Sequence, residues 1–133
     1  MTKIFAAAIV LGLLAVPAMA QSAVTAQIPF AFYVGDKMLP AGPYIFESLT
    51  AHTMRITNTN TRDGATVLTP IPIGEREPVR SNKIVFRRYG NDSFFTEMWW
   101  AGYSSGRSTW KTDLEATLAR RVPSIRIESV SAR

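Results

Sequence analysis

The sequence predicts an all-β domain: an antiparallel β-sandwich or partly open barrel of about seven strands, with one short helix in the C-terminal half. Three observations carry that reading. Apolar and polar residues alternate with period two along most segments from residue 23 onward. Turn residues, among them Arg62-Asp63-Gly64 and Gly90-Asn91-Asp92, punctuate those segments at short intervals. A single segment, opening Thr112-Asp113-Leu114-Glu115, carries a helix-start signature.

Residues 1–20 stand apart from this pattern. Lys3 gives a positive start, residues 4–16 form an apolar run, Pro17 breaks it, and Ala18-Met19-Ala20 presents small residues where a signal peptidase reads. Thirteen residues of helix reach about 20 Å, short of the ~30 Å that a bilayer core demands. The layout predicts a secretory signal peptide cleaved near Ala20/Gln21, no transmembrane anchor after cleavage, and one β-rich domain over residues 21–133 in the periplasm or outside the cell.

Along that domain, residues 23–32 alternate, with Val24, Ala26, Ile28, Phe30 and Phe32 on one face. Pro29 cannot donate to a ladder, so this strand is expected at a sheet edge or with a bulge. Val34-Gly35-Asp36-Lys37 and Leu39-Pro40-Ala41-Gly42 read as turns, followed by a strand over 43–49. Residues 52–57 and 65–69 should pair as a hairpin around Arg62-Asp63-Gly64. Residues 70–82 hold Pro70, Pro72 and Pro78 with few core candidates, which predicts a surface excursion. A second hairpin joins 83–89 to 93–101 through Gly90-Asn91-Asp92. In it Phe94, Thr96, Met98 and Trp100 should face one way and Phe95, Glu97 and Trp99 the other. Both faces are apolar, so that strand is expected to be central and covered on each side. Residues 102–107 read as a flexible loop. A capping box, Leu114 and Leu118 on one face, and Pro123 as the stop define a nine-residue helix that must dock on the sheet. A last strand over 124–130 follows.

The residues Ile28-Pro29-Phe30-Ala31-Phe32-Tyr33-Val34-Gly35 and Leu39-Pro40-Ala41-Gly42-Pro43-Tyr44, with Val85-Phe86-Arg87-Arg88-Tyr89-Gly90 and then Phe95, Glu97 and Trp99, carry a resemblance. The chain resembles a family of small exported β-rich proteins from acidobacterial-type soil bacteria, and departs from it near Ser108-Thr109-Trp110. The resemblance implies the fold class and export; it brings no assigned activity, cofactor or catalytic residue.

Composition restricts the chemistry. The chain has no cysteine, so thiol nucleophiles, thiolate ligands and disulfides are excluded. His52 is the one imidazole and follows Thr50-Ala51 at a strand entry, the place of an ordinary turn residue. A multi-histidine metal centre is excluded, and no Gly-x-Ser-x-Gly elbow, phosphate loop or calcium loop occurs. No cofactor or metal is predicted. Net charge is +5, dispersed and mostly arginine. That suits a polysaccharide, lipid or envelope-protein partner better than nucleic acid.

These features predict an exported, non-enzymatic β domain that binds a ligand or belongs to the cell envelope. Tyr103, Arg107 and Trp110, beside the glycine-containing loop, are the candidate ligand-binding residues. Glu97 is expected to form a structural cross-strand ion pair with Arg88 or its neighbour Arg87. Two alternatives accompany this reading. One is a lipocalin-like carrier of an apolar ligand; the other is a small hydrolase pairing Glu97 with Glu47 or Asp113.

Overall fold

The computed structural model describes residues 23–122 and 125–133, so the expected leader and the helix stop at Pro123 lie outside the described residues. The chain runs through β1 (Val24–Ile28), β2 (Phe32–Val34), β3 (Lys37–Leu39), β4 (Gly42–Thr50), β5 (Thr53–Asn58), β6 (Gly64–Leu68), β7 (Ile71–Gly74), β8 (Asn82–Tyr89), β9 (Asp92–Trp99), β10 (Ser105–Ser108), α1 (Asp113–Arg121) and β11 (Arg126–Ala132). Sheet A has the order β1-β4-β5-β6, antiparallel throughout. Sheet B has the order β11-β8-β9-β10-β7, also antiparallel. The β2–β3 hairpin joins sheet B through a parallel contact of Tyr33 with Phe94. The two sheets are open and pack face to face as a β-sandwich.

Alternation places Val24, Ile28, Tyr44, Phe46, Met54 and Ile56 on the inner face of sheet A. Ile84, Phe86, Phe95 and Met98 face them from sheet B, and Phe32, Val34 and Leu39 from the hairpin complete the core. Within the Ile28–Tyr44 stretch that carries the resemblance, Ile28, Phe32, Val34, Leu39 and Tyr44 belong to the buried core. Tyr44 is fully buried, and its hydroxyl donates to the Pro40 carbonyl at 2.5 Å, fixing the turn into β4.

Three strands of three or four residues, β3, β7 and β10, occur where turns or loops are expected, and a fourth short strand, β2, starts at the end of the strand expected over 23–32. The strand expected over 23–32 is in fact two. Its first part is β1 in sheet A, and past Pro29 the chain crosses to sheet B as β2. A proline at that corner removes no ladder bond, because the chain is changing sheets there. Within 70–82, β7 pairs with β10, so only residues 75–81 remain as a loop. In the 58–64 turn the left-handed residue is Arg62 (φ 60°), while Gly64 serves a different need. A Cβ at Gly64 would lie 2.1 Å from the Ile56 carbonyl oxygen of the paired strand.

The expected face assignment of 93–101 is also corrected. A register shift between Val85 and Phe86 places Glu97 opposite Val85 but Phe95 opposite Phe86, leaving Thr96 as a bulge. Phe95 therefore shares the inner face with Met98, and Phe94 shares the outer face with Glu97 and Trp99. Val85, Tyr89, Phe94 and Trp99 form a second buried group on that outer face, apart from the inter-sheet core.

Helix α1 lies against this outer face, where its Glu115 meets Arg87. Thr112 is the N-cap, its Oγ1 accepting from Glu115 N at 3.1 Å. The second half of the expected capping box is missing, because the Glu115 side chain is buried toward the sheet. Leu114 and Leu118 are half-buried. Thr112→Ala should cost about 1 kcal/mol through the orphaned amide, read as a fall in the urea midpoint with an unchanged slope.

Candidate functional site

The proline-containing loop 75–81 and the loop 100–104 are zipped together by main-chain bonds. Glu75 N donates to the Ser104 carbonyl at 2.8 Å, Val79 N to Tyr103 at 3.0 Å, and Gly102 N back to Val79 at 2.9 Å. Asn82 Oδ1 accepts from Ala101 N at 2.8 Å, closing the base of the pair. Gly102 supplies the left-handed backbone (φ 85°) that this turn requires. An open groove of about 670 Å³ results, lined by residues 75–81 and Lys83. Arg76, Arg80 and Lys83 bring three cations to it, against the carboxylates of Glu75 and Glu77. Lys83 is held by the Trp99 ring, whose centroid lies 5.3 Å from its ammonium nitrogen. Tyr103, bonded through its carbonyl to Val79 of the lining, stands beside the groove with 64 % of its surface exposed.

The three candidate binding residues are not one patch. Tyr103 and Trp110 are both exposed, but they flank β10 at opposite ends, two residues before Ser105 and two after Ser108. A span of seven extended residues separates them by on the order of 20 Å. Arg107 departs from the expected binding role more strongly. Register places it opposite Met98 and Pro72, on the inner side of sheet B, with Gly106 and Ser108 on the outer side. Its Nε and Nη2 donate to Thr69 Oγ1 at 3.0 and 2.7 Å, and Nη1 donates to Ser48 Oγ. The guanidinium carbon lies 5.7 Å from the Trp100 ring. Burial pushes its pKa below the ordinary arginine value. Arg107 is a clasp between the sheets, tying β10 to β4 and to the crossing between β6 and β7.

The expected Glu97–Arg88 pair is corrected as well. The two side chains emerge on opposite faces of sheet B, because the Thr96 bulge puts Glu97 across from Val85 and Arg88 across from Ser93. Glu97 accepts instead from Trp99 Nε1 at 3.0 Å. Arg88 Nη1 lies 3.8 Å from Glu128 Oε2, with its guanidinium 4.6 Å from the Phe30 ring centroid. Arg87, the other candidate partner of Glu97, turns to Glu115.

The carboxylate pairing of Glu97 with Glu47 does not form. Glu47 lies opposite Arg55 in the register of β4 and β5, on the outer face of sheet A, whereas Glu97 is on the outer face of sheet B. Packed sheets stand about 10 Å apart, and these side chains point away from each other. His52 sits exposed in the turn between β4 and β5, its amide donating to Thr50 Oγ1 at 3.2 Å. Among the described residues no three His, Asp or Glu side chains converge as metal donors.

Sequence reasoning missed the groove because it treated residues 70–82 as an undifferentiated excursion. The usable signal was local: Arg76, Arg80 and Lys83 fall within eight residues, at the entry to the strand expected from residue 83. Nothing in the sequence announces that loop 100–104 braces this segment, since that depends on main-chain bonds between distant stretches. No protein-family model, curated protein or solved structure matches this chain.

Proposed function

We propose that this protein is an exported, non-catalytic β-sandwich of the bacterial cell envelope that binds an acidic polysaccharide along the groove formed by residues 75–83. The observation that carries the reading is the convergence of Arg76, Arg80 and Lys83 on one groove beside an exposed tyrosine. Guanidinium groups pair with carboxylates in bidentate geometry, and a tyrosine ring offers a flat face to a sugar. Glu75 and Glu77 reduce the positive field, which suits a ligand carrying hydroxyls between its acidic groups better than a dense polyanion. Export is supported by the Lys3, apolar 4–16 and Ala18-Met19-Ala20 layout, and by the likeness of residues 28–44 to exported soil-bacterial proteins. The carrier alternative has less support. The space between the sheets that an apolar ligand would need is occupied by Phe32, Tyr44, Phe46, Phe86 and Phe95.

Titration calorimetry with polygalacturonate, against neutral dextran, tests the reading. Binding is expected for the acidic polymer alone, and it should weaken as salt rises because the contacts are exposed. The paired substitution Arg76→Ala with Arg80→Ala should weaken it about tenfold or more, equivalent to one charge-assisted bond of ~1.5–3 kcal/mol. Equal affinity for dextran, or indifference to that substitution, overturns the assignment.

A further inference from the structure

Helix α1 is docked by a carboxylate rather than by an apolar stripe. Of its nine residues Glu115 is the buried one, only 2 % exposed. The carboxyl faces Arg87 and Tyr89 of β8, with Arg87 Nε 3.7 Å from Oε1. That separation is within reach of an ion pair but too long for a hydrogen bond. The Tyr89 hydroxyl approaches closely enough to act on the carboxyl, yet it too stops short of a bond. Glu115 Oε2, Tyr89 Oη and Arg87 Nε are all buried, and none has a hydrogen-bond partner among the described residues. Lys111, in the segment leading into α1, is the other charge acting on the carboxyl. Buried polar atoms are ordinarily paired, and a buried carboxylate that accepts no hydrogen bond has little to replace the water its charge has lost.

We propose that Glu115 makes α1 a proton-controlled flap on sheet B, held down while the carboxyl is protonated and loosened as it ionises. A neutral carboxyl can donate to a neighbour and escapes the burial penalty of the anion. The electrostatics run the same way. Burial pushes the Glu115 carboxyl above its ordinary value of 4.5, against the opposing pull of Arg87, Lys111 and Tyr89. Burial, reinforced by the Glu115 charge, likewise raises the Tyr89 hydroxyl. A raised acid binds more protons docked than undocked, so docking is strongest below about pH 4.5 and weakens as pH rises. The weakening stops once the docked carboxyl has itself ionised. Loosening α1 uncovers Tyr89 and opens access to the neighbouring aromatic group on the outer face of sheet B. This device is independent of the groove and of its ligand.

Hydrogen exchange of the intact protein, followed by mass spectrometry from about pH 4 to about pH 8 and corrected for intrinsic amide chemistry, tests the proposal. Protection of residues 112–122 should fall on the order of tenfold for each pH unit over which the docked helix keeps a proton that the free one has lost. Protection in β4 and β5 should stay constant over the same range. Glu115→Gln, a neutral isostere, should abolish the pH dependence of α1 and leave the helix protected throughout. Arg87→Gln removes the cation that favours ionisation, so the loosening should extend to higher pH. Protection of α1 that ignores pH, that changes in step with β4 and β5, or that keeps its pH dependence in Glu115→Gln overturns the proposal. So does an Arg87→Gln profile identical to that of the unaltered protein.

Discussion

Phe86→Ala should destabilise the protein by about 3–5 kcal/mol, the range for truncating a fully buried phenylalanine. Phe86 is without solvent exposure on the inner face of β8, and its ring meets three others edge-on. Phe30 is 5.0 Å away, Phe32 5.3 Å and Phe95 6.3 Å between centroids. Phe30 and Phe32 belong to the corner where the chain leaves sheet A for sheet B. Phe95 in turn contacts Phe46 of β4 at 5.5 Å, so one ring links the corner, both central strands of sheet B and the facing sheet. Edge-on aromatic pairs add to the area term, and no neighbour can restore three of them at once. For a domain of this size the loss corresponds to a fall in Tm on the order of 10–20 °C. Urea unfolding of Phe86→Ala beside Leu68→Ala measures it, since Leu68 is 57 % exposed and its truncation should stay within about 0.5 kcal/mol. A Phe86→Ala loss near 1 kcal/mol would mean that half-buried Phe30 collapses into the vacancy and that the corner is softer than its packing indicates.

Phe86 also illustrates what the sequence makes legible. It lies in an eight-residue strand rich in apolar residues and closed by the Gly90-Asn91-Asp92 turn, the signals that identify β8 and β9, while the period-two pattern identifies β1 and β5. Where a strand is three or four residues long, as in β2, β3, β7 and β10, the pattern completes barely one repeat. Such a strand exists only because a distant partner supplies its hydrogen bonds. Thr96 defeats the pattern differently: a bulge shifts the phase, so Phe94 and Phe95 exchange faces and the expected Glu97–Arg88 pair is separated by the sheet itself. The helix was legible from Thr112 and its length, but its docking face was not. Leu114 and Leu118 suggest an apolar contact, whereas the sheet beneath presents Arg87 and Tyr89 and draws Glu115 inward. Of the candidate binding residues, exposure was legible for Tyr103 because it follows the Gly102 turn, whereas Trp110 is exposed although it follows the buried Ser108 and Thr109. The role of Arg107 depends on hydroxyls at positions 48 and 69, which no local pattern ties to it.

Arg107→Ala should cost about 2–3 kcal/mol, the scale of losing hydrogen bonds to a charged group while stranding a buried acceptor. Thr69 is 1 % exposed at the point where the chain passes from β6 to β7, and two guanidinium nitrogens donate to its hydroxyl. Ser48 of β4 takes a third bond, so one side chain spans both sheets beside Trp100. Arg107→Lys should recover only a fraction of the loss, because a single ammonium cannot reproduce the planar fork that reaches Thr69 twice and Ser48 once. A double-mutant cycle with Thr69→Val, followed by urea unfolding, should return a coupling of about 1 kcal/mol or more. The same variants separate the clasp from the ligand-binding role that a surface arginine beside a glycine-containing loop suggests. If Arg107 is the clasp, the Ala variant loses stability yet binds polygalacturonate as before under conditions where it remains folded. If instead binding disappears while stability and the cycle stay flat, Arg107 belongs to the ligand surface, and the inter-sheet bonds contribute nothing measurable.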